Sequence, residues 1–374
     1  MISLSNLYHV VEAMVPLYAA MALGYASAKA KAFSPEQCAG INHFVAVFAI
    51  PLLTFRMISS NDPYAMNLRF LAADSLQKLT ALAGFAAWAR LAKKENALAW
   101  AVTIFSLVTL PNTIIMGVPV LEGMYGAVSD SLMAQTVVLQ FALWFIVVVF
   151  LLEYMAAKSA VASRSQLADA EAQLDADEEE GWPSALRILA VAAKKILKLP
   201  NTYSSMLGFS WSLIAFRLHL KLPPIIDNSL SIISVSAVGL AMFSVGTFMA
   251  RRKRFILCGY KLALLAMIAR FVVGPAVMAA TSLAVGLRGV FLRVGIVQAA
   301  LPLAVLSFVY AEEYNVHADI MSTGFDFNTL FPCQLIFYIS IKFCITSTNQ
   351  SLISAGSLWA FCYQFLLHSS TTLC

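Results

Sequence analysis

The feature that most constrains this chain is the recurrence of long apolar stretches. Ten occur, at about 7–28, 38–59, 68–91, 97–121, 131–154, 202–220, 230–250, 256–281, 289–311 and 318–342. Roughly 20 mostly apolar residues cross a bilayer as a helix. A single clearly polar stretch, 156–183, separates the first five from the last five; it holds Asp169, Glu171, Asp175, Asp177 and Glu178-Glu179-Glu180. So many acids and so few large apolar residues cannot build a core, and the stretch reads as a mobile loop. The chain is 60% hydrophobic and only 12% charged, against about 45–50% and 25% in soluble domains. A water-soluble globule cannot hide that much apolar surface. Soluble enzymes, nucleic-acid binders and disordered scaffolds are thereby excluded, and a lipid bilayer is the solvent. The expected fold is an all-α multi-pass membrane protein.

The organisation expected is a first five-helix unit over 1–155, a short loop over 156–200, a second unit over 201–342 and an atypical tail over 343–374. Landmarks recur near a spacing of 190 residues. Ser34-Pro35-Glu36 pairs with Leu222-Pro223-Pro224, Leu110-Pro111 with Leu301-Pro302, and Lys78 with Lys261. An odd number of spans per unit inserts the halves in opposite orientations, as in inverted-repeat transporters; the alternative is coincidence among similar apolar strings. With the N-terminus outside or lumenal, 15 cations fall on the cytosolic side, among them Arg251-Arg252-Lys253-Arg254, and six on the other. That bias places both termini away from the cytosol and the acidic loop within it. The first apolar run lacks a basic n-region and an A-x-A site, so it reads as a retained span.

Chemistry concentrates where spans are interrupted. Proline inside a span removes a backbone donor, and a broken helix persists in lipid only where protein or a water-filled cavity covers it. The fourth span carries Leu110-Pro111-Asn112-Thr113 and then Pro119; the ninth carries Leu301-Pro302-Leu303. Breaks at corresponding places in two halves point to a midplane substrate site. The half-helix after Pro111 would direct its positive end there, and Asn112 offers two amide donors to a carboxylate. Such a cradle suits an organic anion; a simple packing kink is the other reading. Asp74 and Lys78 lie four apart in the third span, on one helix face, either as a working charge pair or as a buried structural one. Gln140 either lines the cavity of Asn112 or bonds a neighbouring helix. Glu12, Lys261 and Arg270 show no obvious partner.

No catalytic constellation competes. The five histidines are scattered, the six cysteines show no CxxC pairing, and GxSxG, Walker A and GxGxxG patterns are missing. The chain is therefore expected to be no enzyme, with neither metal nor cofactor.

Several of these stretches together resemble a known family. Ser34 to Asn42, Ile50-Pro51-Leu52-Leu53, Leu110-Pro111-Asn112-Thr113, Gln298 to Pro302 and Glu313-Tyr314-Asn315 are similar to the plant PIN-FORMED auxin efflux carriers. The brief central loop resembles their short-loop branch, which resides largely in the endoplasmic reticulum; the plasma membrane is the alternative. The resemblance implies ten spans in two inverted repeats, a homodimer, and elevator-like carriage of indole-3-acetic acid or related aromatic carboxylates, the carboxylate held where the fourth and ninth spans cross. It implies substrate-site roles for Asn112, Pro111, Thr113, Gln140, Thr54, Pro302 and Leu303, and a support pair in Asp74 and Lys78. Thr54 stands where the family usually has serine, and Leu303, Ala304 and Ser307 replace the family's residues after Pro302. A degenerate subunit that associates with an intact carrier is the other function considered.

The resemblance is expected to end at Gly324. Phe325-Asp326-Phe327-Asn328 follows, then an apolar stretch broken by Pro332. Residues 325–374 read as the product of a different reading frame or retained intron, the alternative being a divergent tenth helix. Asn349-Gln350-Ser351 would be a lumenal glycosylation acceptor.

Overall fold

The computed structural model describes residues 4–92, 96–156, 198–251 and 258–330, with Ala190 and Lys194. Most of the expected central loop, the tail beyond Leu330 with Asn349, and Arg252-Lys253-Arg254 lie outside the described residues.

Twelve helices are present among the described residues. They are α1 (Leu4–Lys29), α2 (Pro35–Ser59), α3 (Leu68–Ala92), α4 (Ala97–Thr109), α5 (Thr113–Tyr125), α6 (Ala127–Ala156), α7 (Pro200–Leu218), α8 (Pro224–Arg251), α9 (Tyr260–Ala284), α10 (Gly289–Ala299), α11 (Val305–Glu313) and α12 (Ala318–Leu330). No strand joins them among the described residues, which contain one isolated bridge between Pro111 and Leu303. Four helices, α2, α6, α8 and α9, are long and apolar enough to cross a membrane. The chain thus folds as an all-helical membrane protein. The helices α4 and α5, of 13 residues each, are too short to cross alone and follow one another across the first break. The helices α10 and α11, of 11 and nine residues, do the same across the second.

Local sequence explains the boundaries. Ser34 caps α2: its Oγ accepts from the Gln37 N–H at 3.3 Å, and Gln37 Oε1 accepts from the Ser34 N–H at 2.8 Å. This reciprocal box, with Pro35 at the first helical position, fixes the entry to the helix. Four helices contain a widened π turn, at Val45–Ala49, Thr113–Gly117, Gln140–Trp144 and Ala269–Val273. Three of these end two residues before a proline: Pro51, Pro119 and Pro275. Proline withholds the donor that the preceding turn needs, and the turn loosens to bonds five residues apart, as from the Gly274 N–H to Ala269 O. The seventh apolar run, expected from 230, begins at Pro224 for the same reason that α2 begins at Pro35.

Packing gathers the helices into two groups. One is α1, α2, α7 and α8; the other is α3, α4, α9, α10 and α12, while α5 and α6 touch both. Small residues bring α1 and α8 backbone to backbone. A Cβ added at Gly24 would lie 2.0 Å from Phe243 O, and one at Gly246 would lie 1.9 Å from Met21 O. Such close crossings are how helices associate where lipid supplies no hydrophobic drive.

One landmark pairing is corrected. Lys261 stands one residue into α9 and is exposed. Arg270 is the cation at matching depth: it lies ten residues past the start of α9, as Lys78 lies ten past the start of α3, and both are fully buried.

Candidate functional site

Pro111 carries no N–H, so the Leu107 carbonyl in α4 loses the donor four residues ahead. The chain leaves the helix at Leu110 and runs extended to Asn112. In the second half it does the same between Ala300 and Ala304. The two stretches meet in antiparallel fashion: the Asn112 N–H donates to Pro302 O at 2.7 Å, and the Ala304 N–H donates to Leu110 O at 3.0 Å. Each break thus satisfies part of the other, as buried backbone in lipid must be satisfied.

Side chains complete the first break. Gln140 Nε2 donates to Pro111 O at 2.7 Å, and Thr113 Oγ1 donates to Gln140 Oε1 at 2.7 Å. Asn112 Nδ2 is buried and has no hydrogen-bond partner among the described residues. A small pocket opens here. Its polar wall is Asn112, Thr113 and Gln140; its apolar wall is Ile50 of α2, Ile114 and Ile115 of α5, Phe141 and Phe145 of α6, and Ala304 with Val305 and Leu306 at the start of α11. The cavity measures about 20 Å³, room for one water against the roughly 300–1,000 Å³ of ligand pockets. Anything much larger than water enters only when these walls separate. The Phe141 and Phe145 rings sit 5.1 Å apart at 46°. The π turn beginning at Gln140 lets two adjacent residues, Gln140 and Phe141, both reach the pocket.

The structure thus brings Pro111, Asn112, Thr113 and Gln140 together around one cavity. Pro302 and Leu303 join the crossing through their backbones but lie outside the cavity wall. Thr54 is fully buried one turn past Ile50; its hydroxyl has no partner among the described residues and it does not line the pocket. Asp74 and Lys78 form an ion pair, both fully buried and away from the cavity wall. The Lys78 ammonium also sits 5.9 Å from the Trp144 ring centroid, within cation–π reach. Among the described residues, no three His, Cys, Asp or Glu side chains gather as metal ligands.

Two features escaped the sequence reading. Phe141 and Phe145 do carry a signal, being aromatic residues four apart beside Gln140. Arg270, for which no partner was apparent, is corrected outright: it donates from Nε to Leu301 O at 2.5 Å, from Nη1 to Leu107 O at 3.0 Å and from Nη2 to Pro302 O at 3.4 Å. Main-chain acceptors leave no mark in a sequence.

Residues 9–339 match the membrane transport protein family. The probable auxin efflux carrier component 9 of Oryza sativa subsp. japonica is 44% identical, covering 91% of this chain and 99% of that protein. The auxin efflux carrier component 8 of Arabidopsis thaliana is 41% identical, covering 90% and 99%. The probable component 5a of Oryza sativa subsp. japonica is 40% identical, covering 91% and 99%. The family match continues past Gly324, where the resemblance was expected to end, and α12 runs as one helix through Asp326 to Leu330. At least the first part of the segment assigned to a different reading frame therefore belongs with the rest. The chain belongs to the membrane transport protein family, among the short-loop PIN-FORMED auxin efflux carriers.

Proposed function

We propose that this chain is a secondary carrier that moves indole-3-acetate across a membrane, holding the carboxylate at the crossing of its two helix breaks. The observation that carries this reading is the unpartnered, buried Asn112 amide at the edge of the pocket. A buried donor without an acceptor costs about 1–3 kcal/mol, a cost that a bound carboxylate offsets. Thr113 and Gln140 brace the Pro111 carbonyl and so set the turn that presents Asn112. Phe141 and Phe145 offer aromatic faces for the indole ring. Asp74 and Lys78 act as a support pair, holding the charged interior behind the site.

The mechanism is elevator-like alternating access. Ile50 on α2 closes the pocket from the first helix group, while the crossing is borne by the second. Displacement of the second group along α2 withdraws Ile50 and opens the cavity to one side and then the other. The two units act as inverted repeats, with termini lumenal and the central loop cytosolic, in a homodimer of the endoplasmic reticulum membrane. The cation bias between the two sides and the short loop support that setting.

Uptake of labelled indole-3-acetate into proteoliposomes holding only this chain tests the proposal. Saturable uptake, competed by unlabelled substrate, is the expected result. Uptake no greater than that of protein-free vesicles would contradict it and would favour a subunit that needs an intact partner.

A further inference from the structure

Arg270 is the largest fully buried side chain in the described residues, and nothing in the substrate reading above uses it. It stands in the π turn of α9, where the next residues bring backbone to backbone: a Cβ on Gly274 would lie 2.8 Å from Val108 O and 3.4 Å from Ala299 O. That close approach sets the guanidinium against the ends of both broken helices. One of its acceptors is the Leu107 carbonyl, the group that Pro111 deprives of its helical donor. The other two, Leu301 O and Pro302 O, belong to the second break. Pro302 O also accepts the Asn112 N–H at 2.7 Å. A single carbonyl oxygen therefore separates the guanidinium from the backbone of the residue proposed to bind substrate.

We propose that Arg270 is the positioning residue of the substrate site: its planar fork clamps the two breaks together and holds Asn112 at the angle that presents its amide to the carboxylate. A guanidinium suits this because it carries five donors in a rigid plane and stays charged when buried. A lysine ammonium has one donor centre and cannot reach carbonyls of both breaks at once. This inference rests on the proposed substrate site, and its test separates the two.

The test uses Arg270→Lys in the full chain, with two readouts. The first, hydrogen exchange in the absence of substrate, should show faster exchange at Asn112 and Ala304, the amides that cross-link the breaks, with amides of α1 and α8 unchanged. The second, indole-3-acetate uptake, should show KM raised about tenfold with the maximal rate per folded molecule within about twofold, the size expected for a charge-assisted hydrogen bond. Exchange that is unchanged at the crossing, or raised throughout, overturns the clamp, as does failure to recover folded Arg270→Lys protein. Loss of maximal rate at unchanged KM overturns the link to substrate. The exchange readout needs no ligand, so it judges the clamp even if the wild type carries no indole-3-acetate, the result that would sink the substrate assignment alone.

Discussion

The two helix breaks are built on the same plan and furnished differently. Both interrupt a span at Leu-Pro, and both trade helical hydrogen bonds for bonds to the other break. The first then places an amide, a hydroxyl and a glutamine amide around the cavity; the second lines it with Ala304, Val305 and Leu306 alone. The cations at matching depth differ as well: Lys78 is spent on Asp74, whereas Arg270 reaches the backbone of both breaks. The polar lining of the cavity is thus concentrated in one half. The other half contributes apolar shape to the cavity. Of the departures from the family pattern after Pro302, Leu303 pairs with Pro111 at the crossing and Ala304 lines the cavity.

The largest effect expected concerns the buried cations. Asp74→Asn removes the counter-ion of buried Lys78, and breaking a buried pair costs about 3–5 kcal/mol; thermal unfolding of purified protein should register a large fall in Tm. Replacing both residues, Asp74→Leu with Lys78→Met, should restore most of that stability, because no charge is left unpaired. A double variant as unstable as the single one would show that the pair is not coupled.

Next in size is the polar break itself. Asn112→Ala should weaken indole-3-acetate binding by about 1.5–3 kcal/mol, the value of a hydrogen bond to a charged group. In a titration this appears as a Kd ten- to a hundredfold higher. Thr113→Val keeps the shape but removes the bond to Gln140, so about 0.5–1.5 kcal/mol should be lost. The smallest effect belongs to the second break: Leu303→Met conserves volume at a fully buried position and should cost under about 1.5 kcal/mol in stability. Its substrate Kd should stay within about twofold of wild type. A larger change in Kd from Leu303→Met than from Thr113→Val would reverse the asymmetry.

The all-helical membrane fold and the two helix breaks were legible because proline and hydropathy act locally. Pro111 and Pro302 mark both breaks through a missing N–H, and Asn112, Thr113 and Gln140 could be named because amides and hydroxyls are rare in such apolar runs. Even three π turns have a sequence signature in the prolines that follow them. Arg270 was opaque for a physical reason: its acceptors are main-chain oxygens up to 163 positions away, and every residue has such an oxygen. Thr54 shows the converse. The resemblance gave it a place in the site, and it lies fully buried one turn past Ile50, on the same face of α2 but off the cavity wall. The closure of the pocket to about 20 Å³ depends on packing between helices far apart in the chain, which no local pattern encodes.

On the proposed function, the Asn112 amide reads the carboxylate. The most direct measurement compares Kd values of indole-3-acetate and of 3-methylindole, which keeps the ring and lacks the carboxylate, in wild type and Asn112→Ala. The substitution should weaken indole-3-acetate at least about tenfold and leave 3-methylindole nearly unchanged. Equal weakening of both ligands, or wild-type affinity for indole-3-acetate in the alanine variant, would contradict it.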